Sequence, residues 1–297
     1  MTSIGRFLFT SFAVLCLFLS QTTVAEVSNS TQAKKGGIIS IDGALTEIVY
    51  ELGAQERLLA VDTTSRYPQA ATELPQVGYM RQLSAEGILS LHPELVIASK
   101  EAGPEMVFEQ LTAAGIKVVR IDAPSSLEGV LLKVKRVAEV LGLENNGAIL
   151  TEKIQSETEA ILSDIAGEKS PSTLFLLGAS NRGLMAAGHG TKAQALMDML
   201  NAQNAFSHQG YKPVSAEGAL MAAPEVVLVG HTGSVDIETD IDTVKQTLAM
   251  TPANNNGRVY TVDIGLALGF GPRIADALAA LKSLVYPAQD MSQVAVE

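Results

Sequence analysis

Short runs of β-branched and other apolar residues alternate with helical patterns along most of the chain. Four short runs in the N-terminal part consist mainly of such residues: 38–41, 58–61, 94–99 and 116–121. Such runs are typical of strands buried on both faces of a parallel sheet. Helical spacing occupies 44–52 and 104–114, and each stretch is followed by a glycine, Gly53 or Gly115, that can end a helix. The pattern therefore predicts a β-α-β arrangement.

The middle of the chain changes character, because no strand candidate lies between 127 and 166. Helical spacing in this stretch is interrupted only at Gly142 and at Asn145-Asn146-Gly147. Strand-like runs return afterwards at 173–178, 225–230 and 258–263. Helical stretches separate or follow them at 191–202, 239–249 and 272–285. The sequence predicts an α/β fold with an N-terminal lobe (37–126), a connecting helical segment (127–168) and a second α/β lobe (169–297).

The first residues differ from the rest of the chain. An apolar run at 7–20 follows Arg6 and precedes a polar stretch that ends at Ala25. This run is shorter than the roughly 20 residues that span a bilayer, so we interpret 1–25 as a secretory signal peptide and 26–36 as a polar tether. Cys16, the single cysteine, lies inside that run. The exported chain, expected in the periplasm, would then have no disulfide, no cysteine-ligated metal and no second apolar run able to cross a membrane.

Composition narrows the function further. Apolar residues make up 47% of the chain, and the net charge is −11. Removal of Arg6 with the signal peptide makes the charge one unit more negative, which disfavours nucleic acids and anionic membranes as partners. The sequence contains no G-x-S-x-G, no G-x-x-x-x-G-K-[ST] and no H-E-x-x-H. We therefore do not expect an enzyme.

An internal repeat supports two lobes of similar build. Segments 84–97 and 215–228 share eight of fourteen positions without a gap. In each copy a serine suited to capping a helix precedes a glutamate, Glu86 or Glu217, by two residues. Both glutamates can stabilise the start of a helix. They can also form a pair of exposed acidic residues, one per lobe, that suits two identical partner subunits.

Five segments resemble the haem-binding receptors of bacterial haem importers: SIDGALTEIVYELG, VDTTSRYP, VGYMRQLSAEG, AAGHGTKAQAL and LGFGPR. These receptors are periplasmic binding proteins of ABC importers, in the class where a long helix joins two α/β lobes with the ligand cleft between them. Ferric-siderophore and cobalamin binders belong to the same class. The resemblance implies that Tyr79 binds haem iron, and that Glu86 and Glu217 dock against a dimeric inner-membrane permease.

The chemistry of tyrosine agrees with the first of these implications. A phenolate is a hard anionic oxygen donor that suits ferric iron, and tyrosine serves as an axial haem ligand. Coordination has to displace the phenol proton, and a neighbouring guanidinium favours the charged phenolate. Arg81 lies two residues after Tyr79 and can reach either the phenol oxygen or a haem propionate.

Three further candidates keep two interpretations each. His189, between glycines, is either an imidazole facing Tyr79 across the cleft or a surface-loop histidine. Arg273 either pairs with a propionate or forms a structural salt bridge. Tyr211, the repeat partner of Tyr79, is better explained by packing than by ligation, because its spacing to the following SAEG differs by one residue.

Of the other cargoes carried by this class, one is disfavoured by the sequence and one stays open. A zinc or manganese receptor needs clustered histidines and carboxylates, whereas the four histidines here are scattered. A ferric siderophore or cobalamin satisfies its own metal and needs no tyrosinate. These ligands are the alternative to haem.

Overall fold

The computed structural model describes residues 37–180, 183–232 and 237–286. These residues belong to one compact unit. The signal peptide predicted at 1–25 and the tether at 26–36 lie outside the described residues, so both stay predictions.

The first lobe is built on a four-stranded parallel sheet in the order β2-β1-β3-β4. Its elements are β1 (Ile38–Ile41), α1 (Gly43–Glu51), β2 (Leu58–Val61), α2 (Ala85–Leu89), β3 (Leu95–Ser99), α3 (Glu105–Ala113) and β4 (Lys117–Ile121). All four predicted strands are confirmed, and β1 is buried along its whole length, whereas the edge strand β4 is only partly buried. Gly53 and Gly115 follow α1 and α3 with φ of 76° and 84°. This left-handed conformation ends a helix, as the sequence predicts.

The connecting segment consists of α4 (Leu127–Leu141) and the longer helix α5 (Glu144–Asp164). The break falls at Gly142, which adopts a left-handed φ of 70°. The expected interruption at Asn145-Asn146-Gly147 is wrong, because α5 runs through it. Gly147 serves the packing of α5 on α4, since a Cβ at this position would lie 2.4 Å from the Cβ of Ala138.

The second lobe contains a mixed sheet in the order β10-β9-β5-β6-β8, with β7 paired to β5. Its strands are β5 (Ser172–Ser180), β6 (Gly183–Ala187), β7 (Gln203–Asn204), β8 (Tyr211–Pro213), β9 (Val226–His231) and β10 (Val259–Asp263). Its helices are α6 (Lys192–Met199), α7 (Ala216–Ala222), α8 (Ile237–Thr247), α9 (Pro252–Asn255), α10 (Ile264–Ala267) and α11 (Ile274–Val285). The strands β5, β9 and β10 are parallel and were predicted. The antiparallel strands β6 and β8 were not.

A single cluster of buried apolar side chains extends from the first lobe through α4 and α5 into the second. It includes Ile48 of α1, Val134 of α4, Ile154 of α5, Phe175 of β5 and Leu278 of α11. Separate clusters cover the remaining face of each sheet. The two sheets are therefore joined by continuous apolar packing and not by a flexible linker.

Candidate functional site

Tyr79 stands in the loop that follows β2, next to residues that hold the loop in place. Gly78 adopts φ of 96°, and its carbonyl accepts a 3.0 Å hydrogen bond from the backbone N–H of Thr63. The Met80 side chain is buried in the core of the first lobe. Tyr79, in contrast, is 42% exposed. Within the described part of the chain, its phenol oxygen has no hydrogen-bond partner.

Arg81 takes part in an ion bridge that joins the two lobes. One carboxylate oxygen of Glu101 lies 3.0 Å from Nη2 of Arg81, and the other lies 3.2 Å from Nζ of Lys192. Arg81 and Glu101 belong to the first lobe, whereas Lys192 is the first residue of α6 in the second. The side chains of all three residues keep contact with solvent. A second contact between the lobes runs from the Arg66 guanidinium to the carbonyl of Thr232.

Arg120 holds the loop that carries Glu101 through hydrogen bonds to its backbone. The Arg120 guanidinium donates 2.8 Å hydrogen bonds to the carbonyls of Lys100 and Ala102, on either side of Glu101. It also stacks 3.8 Å above the ring of Phe108. Glu101 follows the carboxyl end of β3, the edge at which open parallel sheets usually bind ligands. The backbone at Glu101 is therefore held in one position while its side chain reaches into the cleft.

The facing side of the cleft comes from the segment before α6 and from β8. His189 is exposed, and its backbone pairs with the segment that leads to β8. Thr191 caps α6 by accepting a 3.1 Å hydrogen bond from the N–H of Gln194. Tyr211 is half-buried, and burial raises its pKa, although hydrogen bonds with the Thr191 side chain and the Ala193 backbone and the charge of Arg81 act in the opposite direction. Arg81 and Tyr211 thus lie close enough across the cleft to interact electrostatically.

Arg273 forms a salt bridge between the lobes, the second of its two interpretations, and its pairing with a propionate stays a prediction. Its Nε and Nη2 atoms donate hydrogen bonds of 3.0 and 2.6 Å to the two carboxylate oxygens of Glu47. The guanidinium also lies 3.8 Å from the ring centre of Tyr67. Burial raises the pKa of Glu47, and the hydrogen bonds and charge of Arg273 oppose that rise. The Nε and Nη2 donors of the Arg273 guanidinium are therefore both bound to Glu47.

A buried lysine lies in the connecting helix α4. Lys133 of α4 is 8% exposed, and its ammonium donates a 2.9 Å hydrogen bond to the carbonyl of Phe270. Burial lowers the pKa of Lys133, and the charges of Asp42 and Glu101 oppose this effect. The lysine ties the connecting helix α4 to the segment that precedes α11.

The repeated glutamates lie at the starts of short exposed helices, one in each lobe. Ser84 caps α2 and Ser215 caps α7, as predicted, by accepting hydrogen bonds of 3.5 and 3.1 Å from the backbone N–H three residues later. Glu86 and Glu217 are both exposed. Helix stabilisation and an exposed acidic pair are thus compatible.

A match to the family model described as periplasmic binding protein covers residues 38–264. This chain belongs to that family. The family and the solved neighbours are substrate-binding proteins, which agrees with the expected class. In this periplasmic binding protein, no helix of the described residues has the length and apolar character needed to cross a bilayer.

Three relatives of this periplasmic binding protein are informative. The structure of the periplasmic heme-binding protein BhuT in complex with two hemes has 36% identity and a TM-score of 0.78, and the match covers 84% of this chain and 97% of that one. The periplasmic heme-binding protein RhuT from Roseiflexus sp. RS-1 has 34% identity and a TM-score of 0.78, covering 85% and 98%. The vitamin B12-binding protein of Pectobacterium carotovorum is 26% identical, covering 86% of this chain and 91% of its own length.

Sequence reasoning missed two residues of this periplasmic binding protein's cleft, Glu101 and Lys192. Lys192 lies within AAGHGTKAQAL, directly after a helix-capping threonine, and Glu101 follows the end of a predicted strand. Both positions are common sites of ligand contact, but only the fold shows that the two side chains meet. Among the described residues, no cluster of three or more histidine, cysteine, aspartate or glutamate side chains could hold a metal ion.

Proposed function

We propose that this protein captures haem outside the cytoplasm and delivers it to an ABC-type inner-membrane permease. The observation that carries the proposal is the exposed Tyr79, which follows the left-handed Gly78 and lies two residues before Arg81 of the ion bridge between the lobes. The likeness to heme-binding receptors of 34% to 36% identity supports the same cargo. The signal peptide proposed at 1–25 accounts for export to the periplasm.

In this proposal haem lies between the lobes, and the phenolate of Tyr79 coordinates the ferric iron. Arg81 favours the charged phenolate and lies near the propionates. His189 is the second candidate for the iron, from the facing lobe. Glu86 and Glu217 position the receptor over the two subunits of the permease. The protein itself breaks no covalent bond.

A haemin titration of the purified protein tests the cargo and the ligand together. We expect a Soret band and charge-transfer absorption of high-spin ferric haem with a phenolate ligand. Tyr79→Phe removes the donor oxygen, so the charge-transfer band should disappear and the affinity should fall by about 10- to 100-fold or more. Tyr67→Phe is the matched control, because Tyr67 is 46% exposed and its ring lies beneath Arg273. A Tyr79→Phe spectrum identical to that of the wild type assigns the iron to another residue.

Cobalamin is the second candidate cargo, because a vitamin B12-binding protein matches over 259 residues. Cobalamin brings its own metal ligands and therefore does not require a tyrosine ligand from the protein. The two cargoes separate in one experiment, a competition between haemin and cyanocobalamin. Binding of cyanocobalamin with no spectral change on haemin addition would replace haem with cobalamin.

A further inference from the structure

Glu101 occupies a particular electrostatic position in the cleft. Its two carboxylate oxygens are divided between two cations, Arg81 at 3.0 Å and Lys192 at 3.2 Å, and the cations come from different lobes. Two cations this close to one carboxylate form a binding site for a carboxylate group. Glu101 already fills that site from within the protein.

We propose that Glu101 is an internal counter-ion that competes with the carboxylate groups of the bound molecule for Arg81 and Lys192. This inference rests on the proposed function, because haem carries two propionate groups. A propionate that enters the cleft takes one of the two cations, and Glu101 keeps the other. The exchange makes binding weaker than two unoccupied cations would allow, and Glu101 thereby sets the affinity for molecules that carry carboxylates.

The surroundings allow the exchange without movement of the backbone. Arg120 fixes the loop on both sides of Glu101, and Thr191 caps the helix that begins with Lys192. The side chains of Arg81, Glu101 and Lys192 are 58%, 42% and 28% exposed. An ion pair this exposed changes an equilibrium by no more than about fivefold. Replacing Glu101 by a propionate at one cation therefore costs little free energy. Removing the Glu101 charge should still change the dissociation constant for haemin measurably.

The charge state of Glu101 agrees with this role. Burial alone would raise its pKa, but Lys192 and Arg81 together lower it below the ordinary value for glutamate. Glu101 is therefore a full negative charge wherever haem propionates are ionised, and the competition persists at neutral pH.

Glu101→Gln tests the proposal, because it removes the charge and preserves the shape. Dissociation constants are measured for haemin and for haemin dimethyl ester, whose carboxylates are blocked. We expect Glu101→Gln to bind haemin about three- to fivefold more tightly than wild type, with the gain reduced at high salt. The ester should change by less than about twofold. Glu139→Gln is the matched control, since Glu139 forms a similarly exposed 2.8 Å pair with Arg136 on α4.

The possible failures are separable. A wild-type protein that binds neither haemin nor its ester overturns the proposed function and this inference with it. A wild type that binds haemin, together with a Glu101→Gln variant that binds it no more tightly than Glu139→Gln does, overturns the inference alone. An equal gain for haemin and for the ester also overturns it, because the effect would then not depend on carboxylates.

Discussion

The ion pair between Arg273 and Glu47 allows a sharp test of how the two lobes are held together. Glu47 belongs to α1 in the first lobe, and Arg273 precedes α11 in the second. Their side chains are 10% and 22% exposed. Arg273→Met keeps much of the apolar length of the side chain but leaves the Glu47 carboxylate without its partner.

The expected loss of stability lies between two limits. Removing one member of a fully buried pair costs about 3–5 kcal/mol, whereas an exposed pair contributes at most about 1 kcal/mol. Arg273 retains some solvent contact, which lowers the expected cost. The substitution also removes the stacking of Arg273 on Tyr67, which contributes about 0.5–1 kcal/mol. We therefore expect Arg273→Met to lower the free energy of unfolding by about 2–3 kcal/mol at neutral pH.

The loss should also depend on pH in a defined direction. Burial raises the pKa of Glu47, and Arg273 opposes this rise, so removing Arg273 raises the pKa further. A carboxyl group whose folded-state pKa is raised contributes stability below its unfolded value of about 4.3 and loses that contribution as the pH rises through the folded value. Arg273→Met should therefore be less destabilised at about pH 5 than at about pH 7.5.

Urea unfolding followed by circular dichroism at both pH values measures these quantities. Lys282→Met is the control, because Lys282 forms a 2.8 Å pair with Asp164 that is far more exposed on the carboxylate side. The reasoning is refuted if Arg273→Met loses no more stability than Lys282→Met, or if its loss is the same at both pH values. A folded Arg273→Met variant with weakened haemin binding would instead return Arg273 to the propionate role.

Two other substitutions probe docking and helix packing. Glu86→Lys combined with Glu217→Lys should abolish haem uptake by cells that depend on this receptor and leave the haemin dissociation constant within about twofold, since an exposed charge has little effect at a distance; survival of uptake would refute docking. Gly147→Ala should cost about 1–2 kcal/mol by overpacking against Ala138, despite the better helix propensity of alanine. Thermal unfolding measures this loss, and adding Ala138→Gly should restore the lost stability. A double variant that stays destabilised would show that the clash is not the cause.

Much of the architecture follows from local pattern. Strands buried on both faces leave continuous apolar runs, and the helices next to them end at glycines in the left-handed conformation, so the first lobe was predicted closely. The strand β6 was missed because its sequence, Gly183–Ala187, contains no β-branched residue. The strand β8 was missed because it is short and contains Pro213, which is tolerated at a sheet edge. Their pairing with β5 depends on tertiary contacts.

The candidate site divides in a similar way. Tyr79 and Arg81 are candidates because both lie in one short segment, VGYMRQLSAEG, that can be recognised in the sequence alone. Glu101 and Lys192 contribute through contact with each other, and the sequence spacing between them carries no signal of it. The salt bridge between Arg273 and Glu47 likewise becomes visible only in the fold. Sequence thus indicates groups that act alone, whereas paired charges require the fold.

The apolar cluster that extends through both lobes bears on how the receptor would deliver its cargo. Apolar packing through α4 and α5 joins the lobes, and the Arg273–Glu47 and Lys133–Phe270 contacts reinforce that connection. A hinge built in this way favours small displacements over wide closure. The separation between Glu86 and Glu217 then changes little when haem binds, and a surface that does not change cannot by itself favour the loaded receptor. Under the proposed function, discrimination between loaded and empty receptor must therefore come from contacts of the permease with the cleft, where the ion bridge is rearranged.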